Sequence, residues 1–284
     1  MTANGSAIPP IRRAITAAVL VAMISLMGVF TVNAFARPST HTAPKPTVVL
    51  VHGAFADASS WNGVITRLQR KGYTVLAPAN PLRGLASDSA YIASFVHQIQ
   101  GPVLLVGHSY GGAVITNAAV GASNVVGLVY VAAFAPDEGE RLMNVEAGSK
   151  DSVLNTALVP LQYPTGVGSE TALEFEINPA ALFHEVFAAD LPAGQAALMA
   201  ATQRPVAALA FSEPSGPPAW KSLPSWAVVA TGDKAAGTDV IRAEAQRAGA
   251  KIVEVNGSHV IMVSQPKAVT DLILQAVKGV RHQD

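Results

Sequence analysis

The chain has 284 residues, half of them apolar, which suffices for one large domain with a sizeable core and excludes a disordered chain. Lysine plus arginine balances aspartate plus glutamate at 19 each, and neither sign forms a run. That excludes a basic face for nucleic acid and an acidic tail for a cationic partner, and with no cysteine it leaves no disulfide, thiolate metal site or cysteine nucleophile. In chain order, Arg12 and Arg13 precede an apolar run over 14–30 and then Ala34, Phe35 and Ala36, the pattern of a secretory signal peptide. We expect residues 1–36 to be removed after Ala36 by ordinary export, with a retained anchor as the alternative. The run is shorter than the ~20 residues of a spanning helix. The predicted product is secreted or periplasmic and meets the membrane only through this segment.

A Thr/Pro-rich linker, 37–46, leads to the main domain, 47–284. Apolar, β-branched runs at 47–51, 74–77, 103–106, 125–133, 226–230 and 252–255 predict strands. Helical stretches at 61–70, 89–99, 110–122, 239–248 and 265–280 alternate with them. Strands with little polar alternation, each followed by a helix, predict a parallel sheet covered on both faces. Residues 135–223 break this rhythm. They show Ala/Leu-rich helical pieces at 179–189 and 195–201 and no evident strand, and are too long for a plain loop. We expect a helical cap over the C-terminal ends of the strands, the alternative being a separate second domain.

The segment VLLVGHSYGG, 103–112, holds Gly107, His108, Ser109, Tyr110 and Gly111 in a G-x-S-x-G pattern between a predicted strand and a predicted helix. That context marks a sharp turn presenting Ser109 as a nucleophile. A serine hydroxyl needs a base, and His259 follows the strand at 252–255 through a short loop. The other histidines have plainer readings. His41 and His282 lie in the linker and tail, His97 and His184 on helices, and His52 and His108 beside motif glycines, where they shape turns. Asp233, directly after the strand at 226–230, is the expected acid that orients His259; Asp137, after the preceding strand, is its rival, and Asp239 reads as a helix N-cap. For the oxyanion donors we expect the backbone amides of Ala54 and Tyr110, with Phe55 in reserve and Gly53 letting the loop come close.

LVHGAFADASSW, VGHSYGG and GSHVIMVSQP together resemble the bacterial α/β-hydrolases that are similar to plant methyl-ester esterases and hydroxynitrile lyases. The likeness runs over most of 47–280 and is weakest in the cap. It implies an α/β-hydrolase fold, a mainly parallel sheet of about six strands with helices on both faces and a helical cap, and no cofactor. Relatives often carry a proline after the acid, where this chain has Ala235, Ala236 and Gly237. Lyases of this kind carry a threonine at the position of Gly53 and a lysine at that of Val260, and this chain has neither. The expected function is cleavage of small uncharged esters through an acyl-enzyme on Ser109, with Phe175, Phe183, Phe187, Leu191, Leu198 and Met199 roofing an apolar pocket. Lactone or amide hydrolysis, perhydrolysis, cyanohydrin cleavage and a non-enzymatic ligand receptor remain as alternatives.

Overall fold

The computed structural model describes residues 44–281, so the signal segment, its cleavage site and most of the linker lie outside the described residues. The first half runs β1 (Thr47–Val51), α1 (Asn62–Arg70), β2 (Val75–Leu76), α2 (Leu85–His97), β3 (Val103–His108), α3 (Tyr110–Ala118) and β4 (Val125–Val131). Between β4 and the next sheet strand come α4 (Leu142–Ala147), β5 (Leu158–Pro164), β6 (Thr171–Ile177), α5 (Phe183–Phe187), α6 (Ala193–Ala201), β7 (Val206–Ala207) and α7 (Ala208–Ser212). The chain then completes β8 (Ser225–Ala230), α8 (Thr238–Arg247), β9 (Lys251–Val255), α9 (Ile261–Ser264) and α10 (Pro266–Arg281).

Six strands form one parallel sheet in the order β2-β1-β3-β4-β8-β9. All six residues of β3 are buried, as a central strand covered on both faces requires. The amphipathic α10 buries Val269, Leu272, Ile273, Ala276, Val277 and Val280, a stripe at helical spacing, and packs on α1, β4 and β8. Helices α2 and α3 pack on each other, with α3 against β3. The register sets Val51 opposite Gly107 and His108 opposite Val131, so β1, β3 and β4 end level. From β1 the chain steps outward to β2 and then returns past β1 to β3. This is the reversal of strand order at which doubly wound sheets bind ligands, and the loops after β1 and β3 lie at it.

The insertion after β4 corrects one expectation. Besides short helices it holds a three-stranded antiparallel sheet, β5-β6-β7, where no strand was predicted. Strand β5 alternates between half-buried and exposed residues and carries Pro160 and Pro164; it lies at the sheet edge, where a missing N–H costs no ladder bond. The helix expected over 179–189 contracts to Phe183–Phe187. Asp239 also departs from its expected role. It lies inside the first turn of α8, behind Gly237, and accepts from Ser149 Oγ at 2.5 Å and Lys150 N at 2.8 Å, joining the insertion to α8. Among the described residues no helix is long and apolar enough to cross a membrane.

Candidate active site

Ser109 sits between β3 and α3 with φ 52° and ψ −125°, a conformation that costs a non-glycine residue ~1–3 kcal/mol. The surrounding glycines make it possible. A Cβ on Gly107 would lie 2.5 Å from the Gly111 carbonyl oxygen, one on Gly111 2.5 Å from that of Val51, and one on Gly112 would overlap that of Phe134. The turn is held by the Ser109 amide donating to Val131 O at 3.3 Å and by Ser109 O accepting from Gly112 N at 2.9 Å and Phe134 N at 3.3 Å.

His259, in the loop between β9 and α9, places Nδ1 2.7 Å from Asp233 Oδ2, and both side chains are almost fully buried. The other oxygen of Asp233 accepts from the amides of Ala235 at 2.9 Å and Ala236 at 3.0 Å. The Ala-Ala-Gly segment that stands in place of a proline therefore curls its amides onto the carboxylate. Since the carboxylate only accepts, the ring proton sits on Nδ1 and Nε2 is left as the basic nitrogen. The rival Asp137 points elsewhere: it pairs with Lys221 Nζ at 2.5 Å and is a third exposed.

His108 and His52 do shape the turns. His108 Nε2 lies 3.0 Å from His259 O, tying the serine turn to the histidine loop, and burial keeps the ring neutral, well below the usual imidazole range. His52 Nδ1 donates to Gly53 O and Nε2 accepts from Asn80 N, both at 2.9 Å, while Asn80 Nδ2 donates to His52 O at 2.9 Å. Burial lowers the His52 pKa to about 4, so this brace stays neutral too. It fixes the chain entering Ala54 and Phe55, the latter at φ 60°. Among the described residues the buried amides of Ala54 and Tyr110 have no hydrogen-bond partner. The Tyr110 side chain turns away, donating its hydroxyl to buried Asp88 at 2.8 Å, and Asp88 also accepts from Arg83 N. Asn80 and Asp88 went unnoticed in the sequence because their partners lie 28 and 22 residues away, with no motif between.

The insertion covers the site through α5. The Phe187 ring centroid lies 5.0 Å from that of His259, 5.0 Å from Phe183 and 6.1 Å from Phe55. Just beyond α5, Asp190 accepts from Ser258 Oγ at 2.5 Å. The expected apolar roof is thus smaller than predicted. Phe183, Phe187 and Leu191 are buried, but Phe175 lines a separate cavity of about 280 Å³ with Leu158 and Phe211, and Leu198 is 65 % exposed. Among the described residues no cluster of histidine, aspartate and glutamate is arranged to hold a metal.

Comparison with known families matches residues 48–272 to the description "Alpha/beta hydrolase family". The chain belongs to the alpha/beta hydrolase family. It is similar to a carbendazim hydrolyzing esterase of Nocardioides sp. (strain SG-4G), 34 % identical over an alignment of 108 residues that covers 34 % of this chain. That match spans 45 % of the relative's own length. Two solved structures share the fold. Polyneuridine aldehyde esterase superposes with a TM-score of 0.69 at 20 % identity, over 82 % of this chain and 99 % of that one. A pyrethroid hydrolase from Sphingobium faniae JZ-2 does so with a TM-score of 0.66 at 19 % identity, over 82 % and 97 %.

Proposed function

We propose that this hydrolase cleaves carboxylic esters through an acyl-enzyme on Ser109, and that it acts after export with residues 1–36 removed. The observation that carries this reading is the 2.7 Å contact of Asp233 with His259 Nδ1, which leaves Nε2 to take a proton in the chain whose sharp turn presents Ser109. Ser109 Oγ attacks the ester carbonyl as its proton passes to His259 Nε2. The carbonyl oxygen becomes an oxyanion, accepted by the partnerless amides of Ala54 and Tyr110, each such donor being worth ~3 kcal/mol. Collapse expels the alkoxide, which takes the proton from His259, and water activated by the same nitrogen then releases the acid. The similar proteins named as an esterase of carbendazim and as hydrolases of this fold support ester substrates.

Cyanohydrin cleavage fits poorly. A Cβ at Gly53, as the lyase threonine needs, would lie 2.6 Å from Ser109 Cβ and 2.8 Å from His108 O. Val260 is fully buried and brings no cation beside His259 to receive cyanide. The purified chain is expected to hydrolyse p-nitrophenyl acetate and butyrate, to react with a fluorophosphonate at Ser109, and to lose at least ~10⁴-fold in kcat on Ser109→Ala. Release of cyanide from mandelonitrile without ester hydrolysis would sink the proposal. So would undiminished turnover by Ser109→Ala. N-terminal sequencing of the exported protein is expected to begin at Arg37, and a product beginning at Met1 rules out cleavage.

A further inference from the structure

Ser109 is 6 % exposed and His259 1 %, so only a small part of either residue faces solvent. Phe55, one residue from the expected oxyanion donor Ala54, borders existing space. A groove of about 370 Å³ runs between the loop after β1 and α6 of the insertion, lined by Phe55, Ala56, Gln195, Leu198, Met199 and Val263 among others. The Phe55 side chain forms part of its wall, and the neighbouring Ala54 carries one of the two partnerless amides. Phe55 meets Phe187 edge-on at 6.1 Å, and Phe187 lies 5.0 Å from the His259 ring. Phe55, in the groove wall, and Phe187, on α5 of the insertion, therefore form a chain of aromatic contacts from the groove to the His259 ring.

The backbone supports a special role for this position. Phe55 is held at φ 60°, unfavourable for a bulky residue, and such strain collects where a side chain must be aimed. The groove volume lies within the ~300–1,000 Å³ of small-molecule sites. Its walls mix apolar side chains with hydroxyls, amides and the carboxylate of Asp57, whose Oδ1 accepts from Ser59 N at 2.7 Å, and among the described residues no lysine or arginine lines it.

We propose that this groove is the subsite for an extended, uncharged, largely apolar substituent on one side of the scissile ester, and that the Phe55–Phe187 pair is the gate through which that substituent reaches Ser109. The proposal rests on the ester-hydrolase reading above. When the pair parts, the substituent lies along Leu198 and Met199 while the ester carbonyl enters beside Ala54. Anionic substituents gain nothing there, since no cation meets them.

The experiment compares kcat/KM across two neutral series, ethyl esters of acids from four to ten carbons and acetates of alcohols of the same lengths, so that the acyl and alcohol sides are read separately. Leu198→Trp narrows the groove at a position 65 % exposed, where folding tolerates the change. It is expected to lower the ten-carbon to four-carbon ratio about tenfold in one series, and Phe187→Leu to raise that ratio in the same series. A ratio unchanged in both series for both variants, with Ser109 still labelled by fluorophosphonate, overturns the groove and leaves the hydrolase reading standing. A wild-type chain that neither labels nor turns over any ester overturns both. Should Phe187→Leu fail to fold, Phe55→Leu supplies the gate variant.

Discussion

At the scale of single residues, the two aspartates that the sequence left in competition differ by their surroundings. Asp233 is buried with three partners, His259 Nδ1 and two amides, whereas Asp137 is tied to Lys221 at the surface. Asp233→Asn places an amide opposite His259 and favours the wrong tautomer, which in triad enzymes lowers kcat by ~10⁴-fold. Asp137→Asn removes an exposed ion pair worth ~0–1 kcal/mol of stability and leaves turnover as it was. Measuring kcat for both variants checks the assignment, and the reverse ranking moves the acid to Asp137. Ser109, His259 and Asp233 were legible because each follows a strand that an apolar run announces, and because the glycines flanking Ser109 admit no side chain. The Asn80 brace and the Asp88 anchor were not, since a buried hydrogen bond between loops leaves no periodic trace.

At the scale of elements, the ends of β1 and β3 are fitted to each other through Gly53. A Cβ there meets Ser109 Cβ at 2.6 Å and backbone at 2.8 Å, and neither is the end of a flexible side chain. Gly53→Ala must therefore push the loop after β1 away from the turn at Ser109, moving the Ala54 amide with it. The expected result is a stability loss of ~1–3 kcal/mol together with a fall in kcat larger than any rise in KM. Thermal unfolding and steady-state kinetics read the two, and a Gly53→Ala variant with wild-type kcat shows that the loop is not an oxyanion donor. The parallel strands were legible for the same reason that they position the site: continuous burial needs continuous apolar sequence. The hairpin β5–β6 was missed because it is half exposed, its apolar residues alternate with Glu174 and Glu176, and prolines interrupt its first strand. Its signal has period two, which a search for long apolar runs passes over.

Across the whole molecule, several buried titratable groups set how stability follows pH, and they do not all pull one way. Burial lowers His52 from 6.5 to about 4 and holds His108 well below 6.5, so from pH 6.5 downward the unfolded chain takes up protons at these sites that the folded chain refuses. Their contribution is complete above pH 6.5 and is lost on acidification. Glu244 acts oppositely. Burial raises it from 4.5 to about 7, against hydrogen bonds from Ala135 N and Arg247, so the folded chain holds a proton that the unfolded chain releases, and stability is lost as pH rises from 4.5 through 7. Asp88, also raised by burial, acts in that sense at the acid edge. Between pH 5 and 6.5 His52 offsets Glu244 and His108 adds to the effect of His52, which leaves a net slope with the protein less stable at lower pH. Urea unfolding at pH 5.0, 5.5, 6.0 and 6.5 measures it. In Glu244→Gln the opposing group is gone, and the slope is expected to steepen by up to ~1.4 kcal/mol per pH unit, whatever the absolute stability of the variant. A wild-type chain that gains stability on acidification over this range would show that Glu244 outweighs the two histidines. An unchanged slope in Glu244→Gln would show that this carboxyl stays ionised, held by Arg247 and the Ala135 amide against the cost of its burial.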